Sequence, residues 1–258
     1  MVDIKFVAHI EGMDQVKEIC PQPSIKFIPP HWKDIPMLID NPVEMINQSE
    51  FQGKYFGVNA KRKTAKKCPS FIDVFTNGYV IPAPCDIYFS YNTETEEWYV
   101  ETGLKYSGRN QFEAFDIPFS VHDTHQYLDH VPDAPFDYIF KMDNVWSCIT
   151  PKGYSIMQLP MLWHHNPYFE VAYGIIHTDQ YHQINLQIMM RKGVGNFEIK
   201  MGDPLCYIIP YKREEYNYTI EPYDTAFHNA ANMRNIGKFT NGYKQLFRKL
   251  NKEEYKEL

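Results

Sequence analysis

The sequence predicts a mainly β protein with a single core, a β-sandwich, jelly-roll-like or distorted-barrel arrangement, followed by an amphipathic C-terminal helix. Three observations predict it. The 258 residues include 19 tyrosines and 17 phenylalanines, residue types that suit a pleated, half-buried surface. The 18 prolines are spread along the chain, where they interrupt helices. In QINLQIMM, Ile184, Leu186, Ile188 and Met190 fall on one side and Asn185 and Gln187 on the other, the two-residue period of a strand. A chain this long hides roughly 70–75% of its unfolded surface on folding, so its core needs no covalent or metal staple.

Taken in order, residues 1–50 read as an irregular N-terminal segment that wraps the core as an edge strand and loop. SIKFIPPHWKDIPML offers a brief strand pattern at Ile25 and Phe27, broken by prolines that cannot donate to a ladder. Residues 51–215 read as the β-rich core domain. Asn77-Gly78 is a turn signal between apolar runs, and Tyr79, Ile81, Ile87 and Phe89 supply an alternating face. YNTETEE is a hairpin tip with WYVETGL returning. DYIFKMDNVWSCIT is a strand, Thr150-Pro151-Lys152-Gly153 a turn, YSIMQLPML a strand and WHHNPYF a loop. A hairpin is expected between QINLQIMM and NFEIKM across RKGVGN, with Phe197, Ile199 and Met201 inward and Glu198 and Lys200 outward. Residues 216–258 read as a polar segment and then a helix, since Tyr243, Leu246, Phe247 and Leu250 recur at helical spacing. Such a helix packs on the sheet or on another subunit, so the expected partners are a second copy of the chain or a virion or host protein.

The net charge of −6 argues against a whole-surface nucleic-acid binder. One basic stretch, Lys61, Arg62, Lys63, Lys66 and Lys67, is the local exception, read as a solvated loop before a phosphate or acidic-partner contact. The five cysteines are odd in number and never in CxxC form, so neither a disulfide framework nor a zinc knuckle is indicated. No apolar signal core opens the sequence, and no run reaches the ~20 residues of a membrane span. The expectation is a soluble protein of a cytosol-like compartment.

The stretch GIIHTDQYHQINLQI carries the sharpest chemistry. In a strand, positions two apart project to the same side, so His177 and Asp179 can present an imidazole and a carboxylate together. With a third ligand from His228 or His182 they would form the two-histidine, one-carboxylate face of a non-haem Fe(II) site, or hold another divalent metal. Arg213 or Arg234 would then bind a cosubstrate carboxylate through a bidentate fork. The competing structural reading has Asp179 opening a turn and His177 bonded to backbone. HDTHQYLDH, with His122, His125 and His130 beside Asp123 and Asp129, has acceptable ligand types but reads first as a solvated polar loop. No glycine-rich phosphate loop, G-x-S-x-G elbow or HExxH is present.

Two resemblances follow from these segments. GIIHTDQYHQINLQI with NFEIKMGDPLCYII is similar to the strand, turn and Gly-Asp corner of the dUTPase and dCTP deaminase superfamily over about 35 residues. His177 stands where that superfamily has an aspartate, and its arginine-serine motif and glycine-rich lid are missing from the sequence. More broadly, PPHW, KCPSF, TNGYVIPAPCDIYF, TPKGYSIMQLP, GIIHTD and GDPLCYIIP resemble an uncharacterised protein family shared by T4-like marine phages (cyanophages) and bacteria, over roughly residues 25–215. That resemblance implies a phage-encoded accessory protein acting in the host cytoplasm or within the virion. The functional expectation is a non-catalytic binding or assembly module. The alternatives are a jelly-roll Fe(II)-dependent oxygenase and a nucleotide-binding relative of the dUTPase superfamily.

Overall fold

A computed structural model of the chain describes residues 2–40, 62–103 and 119–225. The chain divides into two compact units, Met1–Arg213 and Glu214–Leu258. Of the second, residues 214–225 are described, and Tyr216, Tyr218, Ile220 and Tyr223 are exposed. The C-terminal helix expected from sequence lies outside the described residues, as do Lys61, His228 and Arg234.

The first unit is built from antiparallel sheets. The first sheet runs β1 (Lys5–Ala8), β9 (Phe136–Ile149), β13 (Gln183–Arg191) and β11 (Phe169–Val171), with β8 (Phe119–Val121) also paired to β9. The second runs β12 (Gly174–Ile176), β10 (Tyr154–Pro160), β15 (Pro204–Lys212), β5 (Tyr79–Pro82) and β2 (Gln22–Pro23). A third, three-stranded sheet runs β14 (Phe197–Ile199), β6 (Asp86–Asn92) and β7 (Glu97–Gly103), and a two-residue ladder joins β3 (Leu38–Ile39) to β4 (Arg62–Lys63). Among the described residues no sheet closes into a barrel. The arrangement is sandwich-like, because one continuous core draws on all three larger sheets: Phe140 and Leu186 from the first, Ile156 and Ile208 from the second, Ile87 and Phe89 from the third.

The alternation in β13 sets this geometry. Leu186 pairs with Met142 and Ile188 with Phe140, and all four sit in the core; Gln187 pairs with Lys141 and Met189 with Ile139 on the opposite face. Ile184, Leu186, Ile188 and Met190 are fully buried. Each such side chain contributes about 1.5–3 kcal/mol by leaving water.

Three expectations are corrected. β13 and β14 do not form a hairpin: β13 lies between β9 and β11, whereas β14 pairs with β6. Alternation dictates which side chains turn inward, but the inner faces of two sheets are equally apolar, so it does not choose the partner strand. Second, the strand pattern read at Ile25 and Phe27 is a 3-10 turn, Ser24–Phe27, and an N-terminal edge strand lies earlier in the chain. β1 extends the first sheet along β9 from Lys5↔Ile149 to Ala8↔Trp146, and Met13, Val16 and Ile19 enter the core. Third, Asn77-Gly78 follows a helix, α2 (Pro69–Thr76), not a strand. Proline at its first position suits the fixed φ of a helix start, as does Pro30 in α1 (Pro30–Asp34). Trp32 of α1 stacks on Phe71 at 5.0 Å and meets Phe75 edge-on at 4.9 Å. Gly78 has φ +81°, and a Cβ there would lie 2.4 Å from the Ile208 carbonyl oxygen, so the α2–β5 turn presses directly on β15. The β6–β7 hairpin stands as expected, closing at Asn92↔Glu97. No helix among the described residues is long and apolar enough to cross a membrane.

Candidate functional sites

β12 ends at Ile176, and the next residues fold into a turn in which the Gln180 and Tyr181 N–H groups both donate to the His177 carbonyl, at 2.9 and 2.8 Å. The turn packs against the β9–β10 connection through Thr178, whose buried hydroxyl lies 2.7 Å from that of Thr150. Arg213 follows the last residue of β15, and its N–H donates to the Gly153 carbonyl at 2.8 Å. Three chain segments therefore converge, and the sequence-predicted residues His177, Asp179 and Arg213 meet there.

They meet around a guanidinium. Arg213 Nη1 donates to Asp179 Oδ1 and to Ser155 Oγ, each at 2.8 Å, and lies 3.1 Å from His177 Nδ1, while Nη2 holds Asp179 Oδ2. The Gly153 N–H donates to Asp179 Oδ2 at 2.9 Å. The Asp179 side chain is only 4% exposed. Hydrogen bonds from Arg213 first, and from the Gly153 N–H next, hold its carboxyl well below the usual range, at about 2. The Ser155 hydroxyl, 2.8 Å from His177 Nδ1, can donate to that ring nitrogen.

The serine–histidine–aspartate content does not make a nucleophilic triad. Asp179 is bonded to Arg213 and not to the imidazole, and Ser155 is fully buried, out of reach of a substrate carbon. Nor is the bidentate fork of Arg213 open to a cosubstrate, because Asp179 fills it. A metal at the Asp179 carboxylate would have to displace the guanidinium. Among the described residues no group of three His, Cys, Asp or Glu side chains is placed to hold a metal ion. His182 is engaged by backbone, with Nδ1 donating to the Thr178 carbonyl at 2.7 Å. The arrangement is a polar clasp that ties the ends of β10, β12 and β15. Of the basic stretch, Lys66 Nζ donates to the Lys33 carbonyl at 2.6 Å, Lys67 is exposed, and Arg62 and Lys63 form β4.

A second site lies on the outer face of the first sheet. HDTHQYLDH folds as two short 3-10 turns, Thr124–Gln126 and Leu128–His130. The Asp123 carboxylate accepts from the His125 backbone N–H at 2.9 Å, and His125 Nδ1 donates to the Asp129 carboxylate. Leu128, the one aliphatic residue of that run, is buried with Ala134, Ile139 and Met189 in a separate small cluster. The loop is therefore anchored over the sheet, and the space beneath it is a cavity of about 660 Å³. Ile139, Met189, Ala134 and Phe136 make its floor; Tyr127 and Tyr173 flank it; His122, Asp123 and Gln187 bring polar groups. Arg191 closes one side, paired with Glu170, donating from Nε to the Asn166 carbonyl at 3.1 Å and lying 5.8 Å over the Phe136 ring.

Beyond that ion pair is a second hollow of about 530 Å³ under the WHHNPYF loop. Trp163 and His165 there adopt left-handed backbone, φ 64° and 53°. His164 Nε2 donates to the Phe27 carbonyl at 2.8 Å, and burial is the chief cause of its lowered pKa.

The sequence reading missed Gln187, Tyr127, Tyr173 and Met189 as a group. The available signal was the single leucine at 128 within a run of polar residues, which marks a loop with something to cover. No protein-family model, curated protein or solved structure matches the chain.

Proposed function

We propose that the chain is a non-catalytic binding module whose ligand seat is the cavity between the 122–135 loop and the outer face of the first sheet. One observation carries the reading. The cavity is preformed and of ligand size, with an apolar floor and a few polar groups at its walls. Its loop is held over the sheet by Leu128, so the ligand does not have to order it. The clasp at Asp179 supports the same reading from the other side, since the groups most suited to chemistry are committed to each other.

The test is a fragment screen of the full-length protein read by methyl spectra, with the Met189 methyl assigned through Met189→Leu. Binders that shift the Met189 methyl saturably support the seat, and a ligand at a hundred times its dissociation constant adds about 2.7 kcal/mol of stability. A screen in which no compound moves that methyl sinks it. By the sequence resemblance alone, we extend the proposal to a phage-encoded accessory protein. Detection of the chain in purified particles separates a virion component from one confined to the infected cell.

A further inference from the structure

We infer that this cavity takes a neutral, planar nitrogen heterocycle bearing a hydrogen-bond donor beside an acceptor, the class that includes uncharged nucleobases and nucleosides. The inference rests on the reading of the cavity as a ligand seat.

Size comes first: about 660 Å³ admits a one- or two-ring system with a sugar-sized substituent. Shape follows from the walls. Tyr127 and Tyr173 are 50% and 71% exposed, and neither ring stacks on another aromatic ring among the described residues. A flat ligand is the shape that covers such faces, and base–aromatic stacking is favourable whatever the base. Two carboxamides line the cavity, and the one that selects an edge is Gln187, since Gln126 is exposed on the loop. It projects from the outer face between Lys141 and Met189 positions, half-buried, and its carboxamide has no hydrogen-bond partner among the described residues. A carboxamide offers N–H and C=O in one plane, which matches a ring edge with adjacent acceptor and donor.

Charge narrows the class further. The charged lining residues are Asp123, Glu170 and Arg191, one cation against two anions, and Arg191 is already held by Glu170 and the Asn166 carbonyl. A phosphate would find no uncommitted cation among the lining residues, so a base or nucleoside is favoured over a nucleotide. An organic cation finds the Phe136 ring already covered by the Arg191 guanidinium, which leaves it the two tyrosine faces, and benzyltrimethylammonium in the titration tests that case. This seat is separate from the GIIHTD segment whose sequence resembles the dUTPase superfamily; none of residues 174–179 lines it.

The experiment titrates the full chain with adenosine, guanosine, cytidine and uridine, their 5′-monophosphates, indole and benzyltrimethylammonium, following the Met189 methyl. At least one nucleoside is expected to shift it saturably. Gln187→Leu should weaken that nucleoside about tenfold through loss of the edge contact, leaving indole unchanged. Tyr127→Ala or Tyr173→Ala should weaken it about ten- to a hundredfold through lost stacking. Gln187→Glu, nearly isosteric and lacking the donor, serves if the leucine variant does not fold. Indole binding as well as every nucleoside, with Gln187→Leu without effect, overturns the heterocycle assignment and leaves the seat standing. Monophosphates or benzyltrimethylammonium binding more than about tenfold tighter than the nucleosides overturn it too. If no probe moves the methyl while the fragment screen does, the class fails alone; if neither does, the seat fails with it.

Discussion

Both oxygens of Asp179 accept from the chain's own donors, and this makes the residue a pH-dependent support and not an open ligand. Its carboxyl lies at about 2 in the folded protein, against 3.8 for the ordinary group, chiefly because Arg213 and the Gly153 N–H bond to the ionised form. A lowered pKa means the unfolded chain binds the proton more readily, so the contribution is complete above the ordinary value and fades as pH falls from about 4 through about 2. Asp179→Asn removes the titrating group. The melting temperature should therefore differ most between wild type and Asp179→Asn at neutral pH, and the difference should shrink on descending through that window. A gap that stays constant down to pH 2 would show the ion pair to be without influence on folding. At the same scale, two glycines separate conformation from crowding. Gly153 has φ +84° with open space around its missing Cβ, so Gly153→Ala should cost about 1–2 kcal/mol, the left-handed penalty alone. Gly78, at φ +81° with the Ile208 oxygen 2.4 Å from that Cβ position, carries the same penalty plus a backbone clash. Gly78→Ala should cost about 3 kcal/mol or more in denaturant melts. Equal costs at the two sites would remove the argument that this turn is pressed on β15.

At the scale of elements, β13 shows what a sequence pattern contains. The side chains that enter the core were legible, because a strand's two-residue period is a local property of the chain. Its neighbour was not, because β9 supplies the pairing from residues about forty positions upstream and no local signal encodes that choice. Leu186→Ala should cost about 3 kcal/mol, the transfer term plus a cavity, while Gln187→Thr on the opposite face should stay within about 0.5 kcal/mol. Similar losses at 186 and 187 would mean that the two faces are not distinguished as the register has them. The 122–135 loop illustrates the converse. Its polar letters suggest solvent, yet one leucine holds it on Ile139 and Met189. Leu128→Ser should raise hydrogen exchange across residues 122–131 and leave β9 protected, since the small cluster is separate from the main core. Exchange rising equally in β9 would show the loop to be part of the main cooperative unit.

For the whole molecule, the mainly β class was legible because it is a sum over 258 residues, and aromatic and proline excess survives errors about any one segment. The short helix α2 was not, because PSFIDVFT is too brief to display a helical period against its β-favouring Ile, Val and Thr. Of the site residues, the convergence of His177, Asp179 and Arg213 was within reach of sequence reasoning. Whether the centre held a metal or a guanidinium depended on the end of β15 reaching Gly153, a long-range contact. The five cysteines test the molecule as a whole. All lie within the described residues and none is joined in a disulfide. Cys85, Cys148 and Cys206 are buried in the one core that spans the three sheets, and burial pushes the Cys148 thiol up to about 12 and Cys206 higher still. Only the thiolate reacts with alkylating reagents, so these three should be silent in the native protein near pH 8. Cys68 and Cys20 are half-buried, and the Cys20 pKa is raised by burial and then by Asp14 and Glu18, so Cys68 should label first and Cys20 slowly. Peptide mapping by mass spectrometry after timed alkylation should then find Cys85, Cys148 and Cys206 modified together, at the rate of global unfolding. Rapid labelling of Cys148 or Cys206 in the folded chain would mean that the sheets open separately and that no single core unites them.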